Sequence, residues 1–173
     1  GHGITTTPLQ AVSVYASLVN GGKIITPSLV KENKSEKHKV LISKKTSEQL
    51  NKILRKVVTE KEGTASLADI NGYYVGGKTG TSQNYKLKSE NLNTFVSIFP
   101  FQKPKYALLV MLENPQIAED LIYNYRGLKI KGTRNEAGWN SVYVAGKIIE
   151  KIGPILAINS GEFNNKYVAE TIN

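Results

Sequence analysis

Residues 76–82, with the sequence GGKTGTS, combine residue types that can hold an extended peptide. The two leading glycines remove side chains where another surface could approach closely. Lys78 supplies a positive charge, and Gly80 leaves the strand edge open. Thr79 and Thr81 supply hydroxyl groups. Because an edge strand has unpaired N–H and C=O groups, a peptide could add to it as a further strand, with its carboxylate held by the lysine and the hydroxyls.

Lys-Thr-Gly is one of three short motifs of serine β-lactamases and penicillin-binding proteins, and it is not the only match to that family in this chain. Further stretches occur in the order of one family: residues 1–10 (GHGITTTPLQ), 11–22, 27–29 (PSL), 42–43 (IS), 63–65 (GTA), 77–83 (GKTGTSQ), 138–140 (GWN) and 145–149 (AGKII). Together they resemble the class B penicillin-binding proteins. The stretch from residue 138 is similar to the C-terminal helix of the cell-division, or septal, transpeptidases. The resemblance covers residues 1–158.

The resemblance implies an α+β fold with an antiparallel β-sheet flanked by helices, like that of β-lactamases and transpeptidases. Residues 1–158 would be the C-terminal part of the transpeptidase domain, and residues 159–173 a flexible C-terminal tail. The implied activity is that of a serine D,D-transpeptidase, which cross-links peptidoglycan at the division septum through an acyl-enzyme and binds β-lactams.

The same resemblance implies the partners and the location. The partners would be the D-Ala-D-Ala stem peptide, β-lactam antibiotics, membrane proteins of the divisome and the N-terminal half of the same domain. The protein would face the periplasm from the cytoplasmic (inner) membrane, anchored by a segment outside this chain.

The roles of the site residues also follow from the resemblance. Lys78 would tune the electrostatic field around the proton relay and help to hold the substrate carboxylate. The hydroxyls of Thr79 and Thr81 would bind the same carboxylate, and the backbone N–H of Thr81 would form one half of the oxyanion hole. Lys78 and Thr81 are thus the predicted catalytic residues. Lys78, Thr79, Gly80 and Thr81 are the predicted substrate-binding residues.

The family's other two motifs, Ser-x-x-Lys and Ser-x-Asn, have only chance matches in this chain. Residues 28–31 (SLVK) fit the first, but Pro27 precedes them in an extended stretch, whereas nucleophile and base need a helical turn between them. Residues 82–84 and 89–91 fit the second but follow Lys-Thr-Gly, which reverses the family's order. We therefore expect this chain by itself to be inactive. The alternative is a truncated, non-catalytic module that binds wall peptide or divisome partners.

Residues 72–79 (GYYVGGKT) also satisfy the P-loop pattern. A P-loop follows an apolar strand and opens a helix. Here residues 67–71 make a poor strand, and Tyr73, Tyr74 and Val75 favour a strand where the loop should be. We therefore interpret Lys78 as a strand residue and not as part of a nucleotide site.

Composition fits one globular domain, with 40% hydrophobic and 21% charged residues in a chain of 173. Cysteine is absent, and neither His2 nor His38 has a second ligand at metal spacing, so we predict no metal site and no cofactor. No apolar run approaches the ~20 residues of a membrane span. The net charge of +9 raises a third function, binding to an anionic surface. We interpret the lysine-rich residues 31–61 as a solvated face, because acidic residues interrupt them, and predict no nucleic-acid partner.

Capping signals predict three helices. Thr7 with Pro8 begins the first, which Asn20-Gly21-Gly22 ends. Ser43 begins the second, which ends near Gly63 and has the apolar stripe Leu50, Ile53, Leu54, Val57 and Val58. The third runs over residues 139–152 and is stopped by Gly153-Pro154, and a short helical turn is predicted at residues 64–68.

Strands are predicted at residues 73–82, 93–101 and 106–112, and their short links predict an antiparallel meander. The last strand is almost entirely apolar, which is typical of a sheet covered on both faces. Residues 23–30 are predicted to be extended, residues 31–39 a polar loop and residues 115–137 a long surface loop. Trp139, Phe95, Phe99 and Phe101 are interpreted as core residues.

Overall fold

The computed structural model describes residues 6–30, 39–83 and 91–159. Its helices are α1 Pro8–Val19, α2 Lys44–Thr59, a short 3₁₀ helix Ser66–Ala68 and α3 Ser141–Asn159. Its strands are β1 Gly76–Gln83, β2 Asn91–Phe99, β3 Tyr106–Glu113, β4 Ile122–Tyr125 and β5 Leu128–Lys131. Most of the predicted polar loop 31–39 and nearly all of the predicted tail 159–173 lie outside the described residues.

The predicted α+β fold with an antiparallel sheet is confirmed. Strands β1, β2 and β3 form an antiparallel sheet in that order. One face carries Phe95, Phe99 and Val110 into a core cluster with α3 and the 3₁₀ helix. On the other face Ile98 packs with Val19 of α1 and Leu54 of α2. Helices therefore cover both faces, which explains why every residue of β2 from Phe95 to Phe99 is buried.

The first two helices begin where the sequence predicted, because side-chain caps bind the backbone N–H groups of their first turns. The Thr7 hydroxyl accepts a hydrogen bond from the Gln10 N–H, and the Gln10 side chain accepts one from the Thr7 N–H, which makes a capping box. The Ser43 hydroxyl accepts a hydrogen bond from the Thr46 N–H. The predicted stripe of α2 was wrong at Ile53, which is 58% exposed. Helix α2 also ends at Thr59, earlier than the predicted boundary near Gly63.

The strand boundaries differ from the prediction by up to three residues. Strand β1 begins at Gly76 and not at Tyr73, because Gly72 and Tyr74 have positive φ angles of 82° and 50° that bend the chain first. Strand β2 ends at Phe99, so Phe101 lies beyond it in a turn. Strand β3 is less covered than predicted: within the described residues it is an edge of the sheet, and Val110 is its one buried residue.

Residues 23–30 form no strand within the described part of the chain. Lys23 makes an isolated antiparallel bridge to Val40, and the N–H of Ile24 donates a hydrogen bond of 2.9 Å to the carbonyl of Lys39, but no strand follows. A helical turn does occur in the predicted stretch 64–68, as the 3₁₀ helix Ser66–Ala68.

The predicted surface loop 115–137 was wrong, because it contains the hairpin β4–β5. Its turn places Arg126 and Gly127 at φ angles of 53° and 80°. The sequence Tyr-Arg-Gly-Leu supplies the turn glycine, but each strand has only four residues, too few for a period of two to stand out in the sequence.

Helix α3 lies further toward the C-terminus than the predicted residues 139–152, since it begins at Ser141 and continues past Pro154 to Asn159. Tertiary packing sustains the added turn. A Cβ at Gly153 would lie 2.2 Å from a ring carbon of Tyr73, so the helix lies directly on that ring. The Tyr106 hydroxyl then donates a hydrogen bond of 3.2 Å to the carbonyl of Leu156, near the helix end. These contacts offset the helical hydrogen bond that Pro154 cannot donate.

Candidate functional site

The predicted site residues lie in the middle of β1, which is the outer strand of the sheet within the described residues. Lys78 is exposed, and its ammonium Nζ donates a hydrogen bond of 2.6 Å to the carbonyl of Thr79. An ammonium has three donors, and the described residues use one of them. Since Lys78 is in mid-strand and opens no helix, the P-loop interpretation is excluded.

Thr79 and Thr81 share one face of β1, as expected from the two-residue period of a strand. The Thr79 Oγ1 lies 2.8 Å from the Thr64 Oγ1 in a hydroxyl–hydroxyl hydrogen bond. The Thr81 Oγ1 accepts a hydrogen bond of 3.2 Å from the backbone N–H of Ala137, in the segment before α3. Lys78 belongs to the opposite set of the alternation. The structure therefore places the two hydroxyls on one face of β1 and the lysine side chain on the other.

Glycines let β1 and β2 approach where the site is built. A Cβ at Gly77 would lie 2.5 Å from two ring carbons of Phe95 and 2.6 Å from the carbonyl oxygen of Val96. A Cβ at Gly80 would lie 2.6 Å from the Oγ1 of Thr94, which donates to the Gly80 carbonyl at 3.3 Å. The absence of a side chain at Gly77 is thus a packing requirement of the buried Phe95.

Arg55 of α2 holds the chain where it enters β1. Its Nη1 donates a hydrogen bond of 2.7 Å to the carbonyl of Val75 and forms an ion pair of 2.8 Å with Asp69. Its guanidinium also lies 5.9 Å from the centre of the Phe101 ring. These contacts place the start of the strand relative to the helix, and the prediction from sequence did not include them.

The segment before α3, residues 134–140, is a part of the site that the sequence analysis missed. The Asn135 carbonyl accepts hydrogen bonds from the side-chain Nδ2 of Asn93 at 2.6 Å and of Asn140 at 3.2 Å. The Asn135 Nδ2 donates to the carbonyl of Pro115. Two asparagines close to the start of α3, Asn135 and Asn140, were the available signal, because asparagine side chains commonly bond to nearby backbone.

An aromatic and cationic stack supports this segment from the side of the hairpin. Tyr125 stacks on Trp139 with 5.0 Å between ring centres, Arg134 lies 5.4 Å from the Trp139 ring, and Arg126 lies 5.6 Å from the Tyr125 ring. Arg126 also donates to the carbonyls of Thr59 and Glu60 at the end of α2. Trp139, interpreted from sequence as core, is half-buried in this stack.

Two tyrosines beside this segment have shifted pKa values of opposite sign. A hydrogen bond from Arg126 is the main reason that the pKa of Tyr125 is below its usual 10.0. Burial of the neighbouring Tyr123 raises its pKa above that value, because the phenolate would lose hydration.

The chance matches to the family's other motifs gain no structural support. Ser28 is exposed in a bend, and its hydroxyl bonds to the backbone of Val30. Lys31 lies outside the described residues, as do Asn84 and residues 89–90. Residues 28–30 form no helix, so no helical turn begins at Ser28.

Neither a cluster of metal ligands nor a membrane-spanning helix occurs within residues 6–30, 39–83 and 91–159. In those ranges no group of three potential metal ligands comes together. No helix there has the length and apolar character to cross a bilayer. His2 and His38 lie outside these ranges.

Comparison with known proteins gives one family. Residues 1–134 match the family described as the penicillin binding protein transpeptidase domain. The chain is 36% identical over 132 residues to the stage V sporulation protein D of Bacillus subtilis, an alignment covering 67% of this chain and 20% of that protein. It is 29% identical over 176 residues to the probable peptidoglycan D,D-transpeptidase FtsI of Caulobacter vibrioides, covering 91% of this chain and 27% of that protein. The chain thus spans about a quarter or less of these relatives' length.

Solved structures with the same fold are transpeptidase domains. The domain of the FtsI4 D,D-transpeptidase from Legionella pneumophila superposes with a TM-score of 0.61 and 25% identity, over 84% of this chain and 46% of that domain. The domain of penicillin-binding protein 3 from Burkholderia pseudomallei superposes with a TM-score of 0.68 and 20% identity, over 90% of this chain and 44% of that one. At 20% identity, the similarity to the Burkholderia domain shows a shared fold and nothing more. With a family match over 134 of 173 residues, the chain belongs to the penicillin-binding protein transpeptidase family and is of its class B, FtsI type.

Proposed function

We propose that this chain is the substrate-gripping part of a serine D,D-transpeptidase that cross-links peptidoglycan at the division septum and also binds β-lactams. The observation that carries the proposal is the position of Lys78, Thr79, Gly80 and Thr81 on the outer strand of an antiparallel sheet. A peptide can add to such a strand through main-chain hydrogen bonds, which suits the extended end of a stem peptide.

The proposed chemistry is acyl transfer. A serine upstream of this chain attacks the carbonyl between the two D-Ala residues, forms an ester and releases the terminal D-Ala. An amine of a second peptide then attacks the ester and regenerates the serine. The backbone N–H of Thr81 stabilises the oxyanion in both steps, and the Thr79 and Thr81 hydroxyls bind the terminal carboxylate.

Lys78 acts in this proposal through its charge. Its ammonium favours proton transfer from the serine and attracts the carboxylate of the donor peptide. The Lys78 side chain is exposed, which supports this role because a ligand can reach the ammonium. Its removal should also cost little packing. The spare donors of Nζ, counted over the described residues, leave room for a second acceptor.

The remaining parts of the proposal concern the cellular setting. Residues 1–158 are proposed as the C-terminal part of the transpeptidase domain, which the N-terminal half completes. The full protein is proposed to be anchored in the cytoplasmic membrane and to act in the periplasm with divisome proteins. The FtsI names of relatives such as the Caulobacter protein support this setting.

The test uses the full-length protein, a fluorescent penicillin and a D-Ala-D-Ala peptide. We expect a covalent adduct on an upstream serine and release of D-Ala. Lys78→Ala should lower the second-order acylation constant by about 10²–10³, the usual effect of removing one preorganised electrostatic group. Lys131→Ala, which removes an exposed lysine from another strand, is the matched control and should acylate at the wild-type rate. Wild-type acylation by folded Lys78→Ala would reject the proposed role of β1.

An experiment on this chain by itself helps to distinguish the enzyme from the non-catalytic binding module. We expect it to form no penicilloyl adduct, because it holds no credible Ser-x-x-Lys. A stoichiometric adduct on any of its serines, located by mass spectrometry, would contradict the assignment of the nucleophile to an upstream segment. Peptide binding without acylation by the full-length protein would favour the non-catalytic module.

A further inference from the structure

The Thr81 hydroxyl has a defined hydrogen-bond direction. A hydroxyl has one hydrogen to donate and two lone pairs to accept. The Ala137 N–H already donates to the Thr81 Oγ1, so the hydroxyl hydrogen cannot point toward Ala137. The Thr81 side chain is exposed, and within the described residues its oxygen has no second partner. The hydroxyl hydrogen therefore remains available to donate to an acceptor on a ligand.

Asn135 holds the Ala137 N–H in this position. Its carbonyl accepts from Asn93 at 2.6 Å, its Oδ1 accepts from the Nδ2 of Asn140 at 3.0 Å, and its Nδ2 donates to Pro115. Ala137 is itself buried, and its carbonyl accepts a hydrogen bond from the Ser141 hydroxyl at 3.1 Å. Only Glu136 separates Asn135 from Ala137, so these contacts orient the peptide group that faces Thr81.

Asn93 links this anchor to the catalytic strand. It is fully buried in β2 and lies directly opposite Thr81 in the antiparallel register. Its Nδ2 donates to Asn135, whereas its Oδ1 has no hydrogen-bond partner in the described part of the chain. A buried amide oxygen without a partner costs stability. Asn93 therefore carries a cost in stability at the point where β2 meets the segment before α3.

We propose that Asn93 and Asn135 are positioning residues that make the Thr81 hydroxyl a donor toward the substrate, and so let the site select ligands carrying a carboxylate beside the reacting carbonyl. This inference rests on the proposed function. An available donor favours a carboxylate acceptor. With the Ala137 N–H displaced, the hydroxyl could rotate and donate elsewhere, and that preference would fall.

One experiment tests the positioning of the Ala137 amide without an acylation reaction. Amide hydrogen exchange is followed by mass spectrometry in the full-length protein, on fragments that contain residue 137. Asn135→Ala should speed exchange at the Ala137 amide by at least about tenfold, because its anchor is lost. Asn124→Ala, at an exposed position of β4, is the matched control and should leave that exchange unchanged. Unchanged exchange in Asn135→Ala would reject the positioning role.

A second experiment tests the selectivity of the site for ligands that carry a free carboxylate. Acylation constants are compared for a β-lactam with a free carboxylate and for its methyl ester. Asn135→Ala should lower the constant for the free acid by about 5- to 30-fold, the equivalent of about 1–2 kcal/mol of transition-state stabilisation, and leave the ester unchanged. In a Thr81→Ala background the same change should have no further effect, because the hydroxyl it orients is gone.

The outcomes separate the two proposals. Equal slowing of acid and ester, or a full effect of Asn135→Ala on top of Thr81→Ala, would mean that Asn135 supports only the fold and would overturn the inference. Absence of acylation in the wild-type protein would reject the proposed function, while exchange at Ala137 would still report on the contact. If Asn135→Ala does not fold, Asn135→Asp, which keeps the size and the Oδ1 acceptor, should show a smaller loss confined to the free acid.

Discussion

Thr64 and Thr79 face each other across 2.8 Å through their hydroxyl oxygens. The first residue precedes the 3₁₀ helix and the second lies in β1, so the hydrogen bond joins β1 to the turn that packs on α3. Gly138 approaches the same turn, since a Cβ there would lie 2.5 Å from the Thr64 carbonyl oxygen. The hydroxyl face of β1 is therefore held by the turn at Thr64 as well as by the segment before α3.

Thr64→Val should destabilise the full-length protein by about 0.5–1.5 kcal/mol, the usual net value of one hydrogen bond. Thr79→Val should cost a similar amount, and the double variant should lose less than the sum, because both changes remove the same contact. Urea unfolding of the four proteins measures the coupling. Thr133→Val, at an exposed threonine, serves as the control and should stay within about 0.5 kcal/mol of wild type. Strict additivity would show that the two hydroxyls do not interact in solution.

Gly77→Ala should destabilise the protein more than Gly80→Ala. The new methyl at residue 77 would meet the buried Phe95 ring at 2.5 Å and the Val96 backbone at 2.6 Å. Such overpacking typically costs about 1–3 kcal/mol. The methyl at residue 80 meets the end of the Thr94 side chain, which can rotate away. The melting temperatures of both variants measure the difference. An equal decrease in melting temperature would show that β1 and β2 are not tightly packed at Phe95.

Thr81→Ala and Thr81→Pro should differ sharply in acylation by a β-lactam. The alanine variant keeps the backbone N–H of the proposed oxyanion hole and loses the hydroxyl, so we expect a loss of about 5- to 30-fold. The proline variant removes that N–H and distorts the strand, so we expect at least about 10²-fold. Circular dichroism and melting temperature show whether each variant is folded. A folded proline variant that acylates as well as the alanine variant would exclude the N–H of Thr81 from the oxyanion hole.

Tyr125 should ionise at lower pH than Tyr123. The hydrogen bond from Arg126 lowers the pKa of Tyr125 from 10.0, and burial raises the pKa of Tyr123 above it. Because a folded-state pKa below the unfolded value favours the ionised form, Tyr125 adds stability above the unfolded pKa and loses it as pH falls through the folded pKa. Ultraviolet titration of Tyr125→Phe and Tyr123→Phe against wild type isolates each phenol. A Tyr125 component at or above that of Tyr123 would contradict the contact with Arg126.

The sequence by itself determined the parts of this protein that depend on local chemistry. Thr7 and Ser43 begin helices because their hydroxyls accept hydrogen bonds from the N–H groups of the first turn. Residues 106–112 are apolar and are joined to the preceding strand by a turn of a few residues, so the antiparallel pairing could be predicted. Lys78 could be assigned to a strand because its neighbours favour extended structure and no helical stripe follows.

Tertiary structure decided what depends on residues distant in sequence. Helix α3 passes Pro154 because Tyr73 and Tyr106 hold its last turns, and neither residue is close to it along the chain. Thr81 gains a donor from Ala137, 56 positions away, and that contact depends on how the segment before α3 folds against β2. A motif can indicate which residue types meet a substrate. The direction in which a hydroxyl donates depends on its neighbours in space, and only the packed chain brings those neighbours together.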